Sequence, residues 1–196
     1  MPIISSEGIH FTSDHHFGHA NIIRYSDRPF GSVWEMDETF ITNWNEAVGP
    51  EDTVYHLGDI FLGDLGAAKR IRERLHGRIC LIRGNHDKTA DAMGSGSFEW
   101  IKDYHELKVA DADLRGGVQM IVLCHYAMRI WNAAHRGSWQ LYGHSHGSLQ
   151  DDPEARAFDA GVDCHDYAPI SYNQVKQIMA RKSFFPVDHH GRDRHH

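Results

Sequence analysis

Cysteine is scarce in this chain. The three present, Cys80, Cys124 and Cys164, stand far apart and form no Cys-x-x-Cys pair, which excludes a disulfide framework and a thiolate metal site and suits a reducing compartment. No segment approaches eighteen uninterrupted apolar residues, and residues 1–8 lack a positive region followed by an apolar one, so the expectation is a cytoplasmic protein with no membrane partner. Positive charge is also short. Twenty lysines and arginines against 27 acidic residues give a formal charge of -7, whereas an extended nucleic-acid or anionic-membrane surface needs clustered cations. A small phosphorylated substrate is compatible with that balance, because a local cationic site can oppose the global sign.

What is present in excess is histidine, 17 in 196 residues, on an otherwise ordinary globular background of 41% hydrophobic and 24% charged residues. The length suits one domain spanning residues 1–196, with residues 188–196 as a polar, histidine-rich tail left out of any site. The other histidines collect with aspartates in five patches: Asp14-His15-His16, Gly58-Asp59, Gly84-Asn85-His86-Asp87, His125, and Gly143-His144-Ser145-His146.

Each patch follows a strand-like run. Ile9-His10-Phe11-Thr12 precedes the first, Thr53 to Leu57 the second and Ile79 to Ile82 the third. Tyr104 to Ala110 and Val118 to Cys124, joined by Asp111 to Gly117, read as an antiparallel hairpin with His125 at its exit, and Ser138 to Tyr142 precedes the last patch. Helical spacing is expected over 20–25, 36–48, 65–75 and 171–182, the last capped by Ser171, and a final strand over 157–162. Residues 91–96 read as a loop and 126–137 as an irregular stretch beside the site. Strand, helix and strand in succession predict a largely parallel sheet, and ligands in such sheets gather beyond the carboxyl ends of the strands, where the patches fall.

The chemistry follows from residue type. Asp14, His16, Asp59, Asn85, His125, His144 and His146 are seven nitrogen and oxygen donors with no thiolate, which suits manganese, with iron, zinc, cobalt or nickel as further options. Strand alternation would put Asp14 and His16 on one side, and likewise His144 and His146. Seven donors exceed one tetrahedral shell and suit two divalent ions. Unit charges about 4 Å apart interact by about 4 kcal/mol at an effective dielectric of about 20, and two divalent ions repel about fourfold more, so an anion must bridge them. Asp59 is the expected protein bridge and a water-derived hydroxide the second. Two such ions outweigh two carboxylates and a hydroxide, leaving a positive pocket for phosphate, and a metal-held hydroxide is placed to attack phosphorus. His86 is the expected catalytic residue, protonating the leaving oxygen or stabilising charge on the phosphoryl group. Asp87 either orients His86 or caps the turn. Arg24, Arg28, Arg83 and Arg136 are candidate phosphate contacts, with surface ion pairing as the more ordinary role of each.

Taken together and in this order, the five patches resemble the five motif blocks of the calcineurin-like metallophosphoesterase superfamily across most of the chain. The resemblance implies a four-layer α/β/β/α sandwich with mixed sheets. It implies that Asp14, His16 and His146 serve one ion and Asn85, His125 and His144 the other, splitting the two histidines that alternation would pair, with Asp59 shared and His86 catalytic. One departure stands out. The phosphoprotein phosphatases extend the second block to Gly-Asp-x-x-Asp-Arg-Gly, whereas Gly58-Asp59 continues Ile60-Phe61-Leu62-Gly63-Asp64, which argues against phosphoprotein as substrate; the short length resembles that of small bacterial or phage members, a likeness that implies phosphodiesters or small phosphomonoesters, including nucleotide-like ones. The reading from another class is a metal-binding scaffold or sensor without turnover. A metallo-β-lactamase-type hydrolase is weaker still, since no His-x-His-x-Asp-His run occurs.

Overall fold

A computed structural model describes residues 2–94 and 96–187; the tail at 188–196 lies outside the described residues. The strands are β1 (Ile3–Ile4), β2 (Ile9–Thr12), β3 (Thr53–His56), β4 (Arg78–Ile82), β5 (Trp100–Lys102), β6 (Tyr104–Ala110), β7 (Val118–Cys124), β8 (Trp139–Tyr142), β9 (Ala157–Asp159) and β10 (Ile170–Ser171). The α-helices are α1 (Ala20–Tyr25), α2 (Val33–Ala47), α3 (Leu65–Arg72), α4 (Lys88–Ala92) and α5 (Tyr172–Ala180). The protein is α/β, with two five-stranded sheets ordered β10-β2-β3-β4-β5 and β1-β6-β7-β8-β9. The first is parallel except at β10, and the second mixes parallel pairs with the antiparallel β6–β7 hairpin.

Alternation along the strands divides the interior in two. Tyr55, Cys80 and Ile82 point between the sheets, where they meet Val109, Ile121, Leu123, Leu141 and Phe158. Their neighbours Val54, Ile79 and Leu81 point outward against Met36, Phe40, Ile41 and Trp44 of α2 and Ala68 of α3. A strand buried on both faces reads as a continuous apolar run, which is how Ile79 to Ile82 reads. On the outer face of the second sheet, Val122 and Tyr142 are covered by Trp131 from the stretch between β7 and β8, whose only helix is the 3-10 turn Ala134–Arg136. No helix among the described residues is long and apolar enough to cross a membrane.

The register places the site. Thr12 pairs with His56 and His56 with Leu81, so the segments after β2, β3 and β4 leave one edge side by side. In the other sheet Leu123 pairs with Leu141 and Tyr142 with Asp159, and the Gly143 amide donates to the His125 carbonyl at 2.9 Å. A bridge between Ser13 and Gly161 joins the sheets at this end.

Several expectations need adjustment. Helix α2 begins at Val33 rather than 36, because the Ser32 hydroxyl accepts from the Glu35 amide and starts the helix a turn early. Residues 91–92, expected in a loop, close α4, with the Asp91 amide donating to the Asp87 carbonyl at 3.0 Å. The strand expected over 157–162 stops at Asp159, since Val162–Cys164 turns as a 3-10 helix. Helix α5 starts after Ser171, which closes a capping box with Gln174, and ends at Ala180.

Candidate metal centre

Strand alternation does not bring the donors together. Strand β2 ends at Thr12, and Asp14 and His16 lie beyond it at φ +60° and +52°; Asp59, His144 and His146 take φ +57°, +68° and +48°. Among the described residues, five of the nine non-glycine residues with positive φ are therefore candidate ligands, so left-handed backbone, costly for L-residues, is concentrated at this one place. Glycine permits the crowding. A Cβ on Gly84 would stand 2.2 Å from Asp59 Oδ1, and one on Gly143 would stand 2.0 Å from Ser13 Oγ and 2.5 Å from Asp14 Oδ2.

Two groups of donors result. Asp14, His16 and His146 form the first, and Asp59, His125 and His144 the second; within each, the ligand atoms lie within 4.8 Å of one another. Asn85 joins the second, its Oδ1 3.1 Å from His125 Nε2. Asp59 links them, with Oδ2 3.6 Å from His16 Nε2 and 3.6 Å from His125 Nε2. All seven predicted donors are thus brought to one place. His86 is exposed beside them, its ring centroid 5.4 Å from that of His16, and its amide donates to Asp59 Oδ1 at 2.8 Å.

The electrostatics are those of lone pairs that meet no hydrogen-bond donor. Burial, followed by repulsion from Asp159, raises the Asp14 carboxyl well above its ordinary value, and its Oδ1 has no hydrogen-bond partner. Burial, then the neighbouring His146, pushes His16 down to about 2, and neither of its ring nitrogens is hydrogen-bonded. His125, lowered chiefly by burial, directs Nδ1 at the Leu57 carbonyl, 2.7 Å away. In the neutral ring Nδ1 then donates and Nε2 keeps its lone pair, aimed at the Asn85 amide oxygen; a cation between the two acceptors satisfies both. Buried, unpaired carboxylate and imidazole atoms with no thiolate fit divalent metal ions, and these groups could hold them.

The surrounding residues explain how the turns persist. Asp87 is buried and accepts from the amides of Asp59, Ile60 and Gly84 at 2.8, 2.9 and 2.7 Å, so it braces the turns rather than orienting His86; burial lifts its carboxyl to about 6 despite those bonds. The Gly58 amide donates to His56 Nδ1, and His56 Nε2 lies 2.9 Å from His15 Nδ1, a buried chain joining the turn after β3 to the turn after β2. His19 contributes a further unpartnered buried nitrogen, Nδ1, with its ring 5.6 Å from that of His16; only its proximity in sequence to the first patch hints at this.

Of the candidate phosphate-binding arginines, Arg28 is corrected outright. Its side chain is fully buried and paired with Asp163, a residue with no recognisable sequence signal. Arg83 is held by Asp91 and Asp103, Arg24 lies over the Tyr25 ring, and Arg136 contacts His135.

Comparison with known proteins brings relatives whose names carry no function. No family model matches the chain. It is 32% identical over 185 residues to Uncharacterized protein MJ1445 of Methanocaldococcus jannaschii, covering 91% of this chain and 94% of the relative. It is 31% identical over 198 residues to the Gene 66 protein of Mycobacterium phage D29, covering 86% of this chain and 94% of that protein. A solved structure, the protein of unknown function AQ665 from Aquifex aeolicus, superposes with a TM-score of 0.65 at 27% identity, covering 87% of this chain and 98% of that one.

Proposed function

The chain belongs to the family of the Methanocaldococcus jannaschii protein and the phage D29 Gene 66 protein, and from the geometry of its site we propose that it is a metal-dependent phosphoesterase of the calcineurin-like type. Its substrate is a phosphodiester or phosphomonoester of a small or nucleotide-like molecule. The observation that carries the reading is the place of Asp59, one carboxylate oxygen standing 3.6 Å from a ring nitrogen of each donor group. In this reading the two sheets are the inner layers of an α/β/β/α sandwich, with α1 to α4 as one outer layer and the stretch around Trp131 where the second is expected.

Asp14, His16 and His146 would hold one divalent ion, Asn85, His125 and His144 the other, and Asp59 both; manganese suits the donor set best. Ions so held supply Lewis acidity, bringing the pKa of water close to neutrality and neutralising phosphoryl charge. The chain's own residues supply the rest. Asp59 places a negative charge where the positive charges of both ions must be balanced. The left-handed turns, braced by Asp87, hold the donors in place before substrate arrives, which reduces the reorganisation needed on binding. His86 has its backbone tied to Asp59 and its ring at the exposed mouth, placed to deliver a proton to the leaving oxygen.

The test is hydrolysis of an aryl phosphodiester such as bis(4-nitrophenyl) phosphate. Chelation should abolish turnover and Mn²⁺ restore it. Equal turnover in the metal-free protein refutes the reading. Two bound metals with no turnover across a panel of phosphate mono- and diesters would favour the scaffold or sensor instead.

A further inference from the structure

We propose that Arg28 and Asp163 are a buried positioning pair that sets the tautomer of His146 and clamps the Asp14–His16 turn, so that metal affinity at the first donor group depends on them and affinity at the second does not. The proposal rests on the metal reading for the identity of the ligand, but its geometry stands independently of it.

Arg28 follows α1 and spends its whole guanidinium inside the protein. Nε and Nη2 donate to the two carboxylate oxygens of Asp163, each at 2.8 Å. Nη2 also donates to the Asp14 carbonyl at 2.6 Å, and Nη1 to the His15 carbonyl at 2.9 Å and to Met36 Sδ at 3.4 Å. Five N–H groups thus meet five acceptors while the Phe40 ring packs 5.2 Å from the guanidinium carbon. The two carbonyls are those of the turn that carries Asp14 and His16 at positive φ, so the arginine secures a conformation the backbone would otherwise abandon.

Asp163 completes the relay. Its Oδ2 accepts from His146 Nδ1 at 2.7 Å. A neutral imidazole has one N–H and one lone pair, so a ring that donates from Nδ1 keeps its lone pair on Nε2, the nitrogen left for a cation. Burial disfavours ionised Asp163, but the bonds from His146 and Arg28 outweigh it and hold the carboxyl below its ordinary range. The second group is built otherwise. His125 is oriented by the Leu57 carbonyl, a backbone acceptor outside this pair's reach.

The experiment uses the full chain, freed of metal and titrated with Mn²⁺. Asp163→Asn keeps the volume but offers one oxygen, for which Arg28 and His146 must compete. It should weaken the first Mn²⁺ site about 10- to 100-fold, the usual cost of losing a group that orients a ligand, and leave the second within about twofold. Imidazole ¹⁵N spectra of the metal-free protein, taken above the ordinary histidine pKa of about 6.5, should show His146 wholly as the Nδ1–H tautomer in the parent and mixed in the variant. Equal weakening of both sites, or a parent His146 in the Nε2–H form, overturns the proposal. If the parent binds no Mn²⁺ the phosphoesterase reading falls, and the tautomer comparison still decides the role of the pair. If Asp163→Asn fails to fold, Asp163→Ser, which removes the carboxylate and retains a smaller acceptor, gives the same two measurements.

Discussion

The two donor groups differ in how they are held. The first is anchored from beneath: Asp14 and His16 are buried, and Arg28 and Asp163 fix their turn and the His146 ring through charged hydrogen bonds. The second opens to solvent: Asn85, His144 and the adjacent His86 are exposed, Tyr126 lies 4.9 Å from the rings of His125 and His144, and orientation comes from the Leu57 carbonyl and the brace of Asp87. A charged side-chain pair is strong in a dry interior but collapses when one partner is removed, whereas the His125 ring, held by a backbone carbonyl, does not depend on a neighbouring side chain in that way. Under the proposed phosphoesterase reading, the enclosed group is the one suited to permanent occupancy and the open one to meeting substrate.

The sharpest way to break this contrast is at the residue common to both sides. Asp59→Asn removes the charge between the groups; a unit charge about 4 Å from a divalent ion is worth about twice 4 kcal/mol at an effective dielectric of about 20, and with about half of that offset by the amide oxygen that still ligates, the second equivalent of Mn²⁺ should bind about 10³-fold more weakly, read by calorimetry. His86→Ala tests whether the open side carries the chemistry without holding metal. Turnover of an aryl phosphodiester should fall about 10²- to 10⁴-fold while metal content by elemental analysis stays at the parent value; loss of metal would make His86 a ligand instead.

The buried His56–His15 chain that ties the two turns together predicts an acid sensitivity. Burial, then the nearby His125, holds His56 down to about 3, against about 6.5 unfolded. A histidine depressed in the folded state contributes stability above the unfolded pKa and loses it as pH falls through about 6.5 toward 3. Metal-free protein should therefore lose about 2 kcal/mol from His56 alone between about pH 6.5 and 5, measured by urea unfolding; a flat profile would remove the neutral pair from the account. The smallest effect marks a region remote from the comparison. Ser171→Ala breaks the capping box of α5 and should cost about 1 kcal/mol, a fall of about 2–4 °C in Tm, with both Mn²⁺ affinities unchanged.

The patches were legible because the requirements that make them are local. A strand-like run followed by glycine and a short polar donor is visible in Thr53 to Asp59 and in Ile79 to Asn85, and the β6–β7 hairpin follows from two apolar runs around a polar connection. Strands β1, β5 and β10 were not, since two or three residues carry no period and their pairing is supplied by neighbours. Alternation misjudged Asp14 and His16 because it assumes a strand that has already ended. Arg28 looked like a surface cation because nothing near it in the chain announces Asp163, 135 residues later.

By itself the sequence determined which side chains can take part: their chemical type is fixed by covalent structure, and their places at the ends of apolar runs follow from the partition of apolar residues away from water. Only the tertiary structure decided how they face one another. Left-handed φ at five donors, the equal reach of Asp59 to His16 and His125, and the Arg28–Asp163–His146 relay depend on contacts between segments far apart in the chain, and those packing contacts and hydrogen bonds make such backbone conformations the lower in free energy.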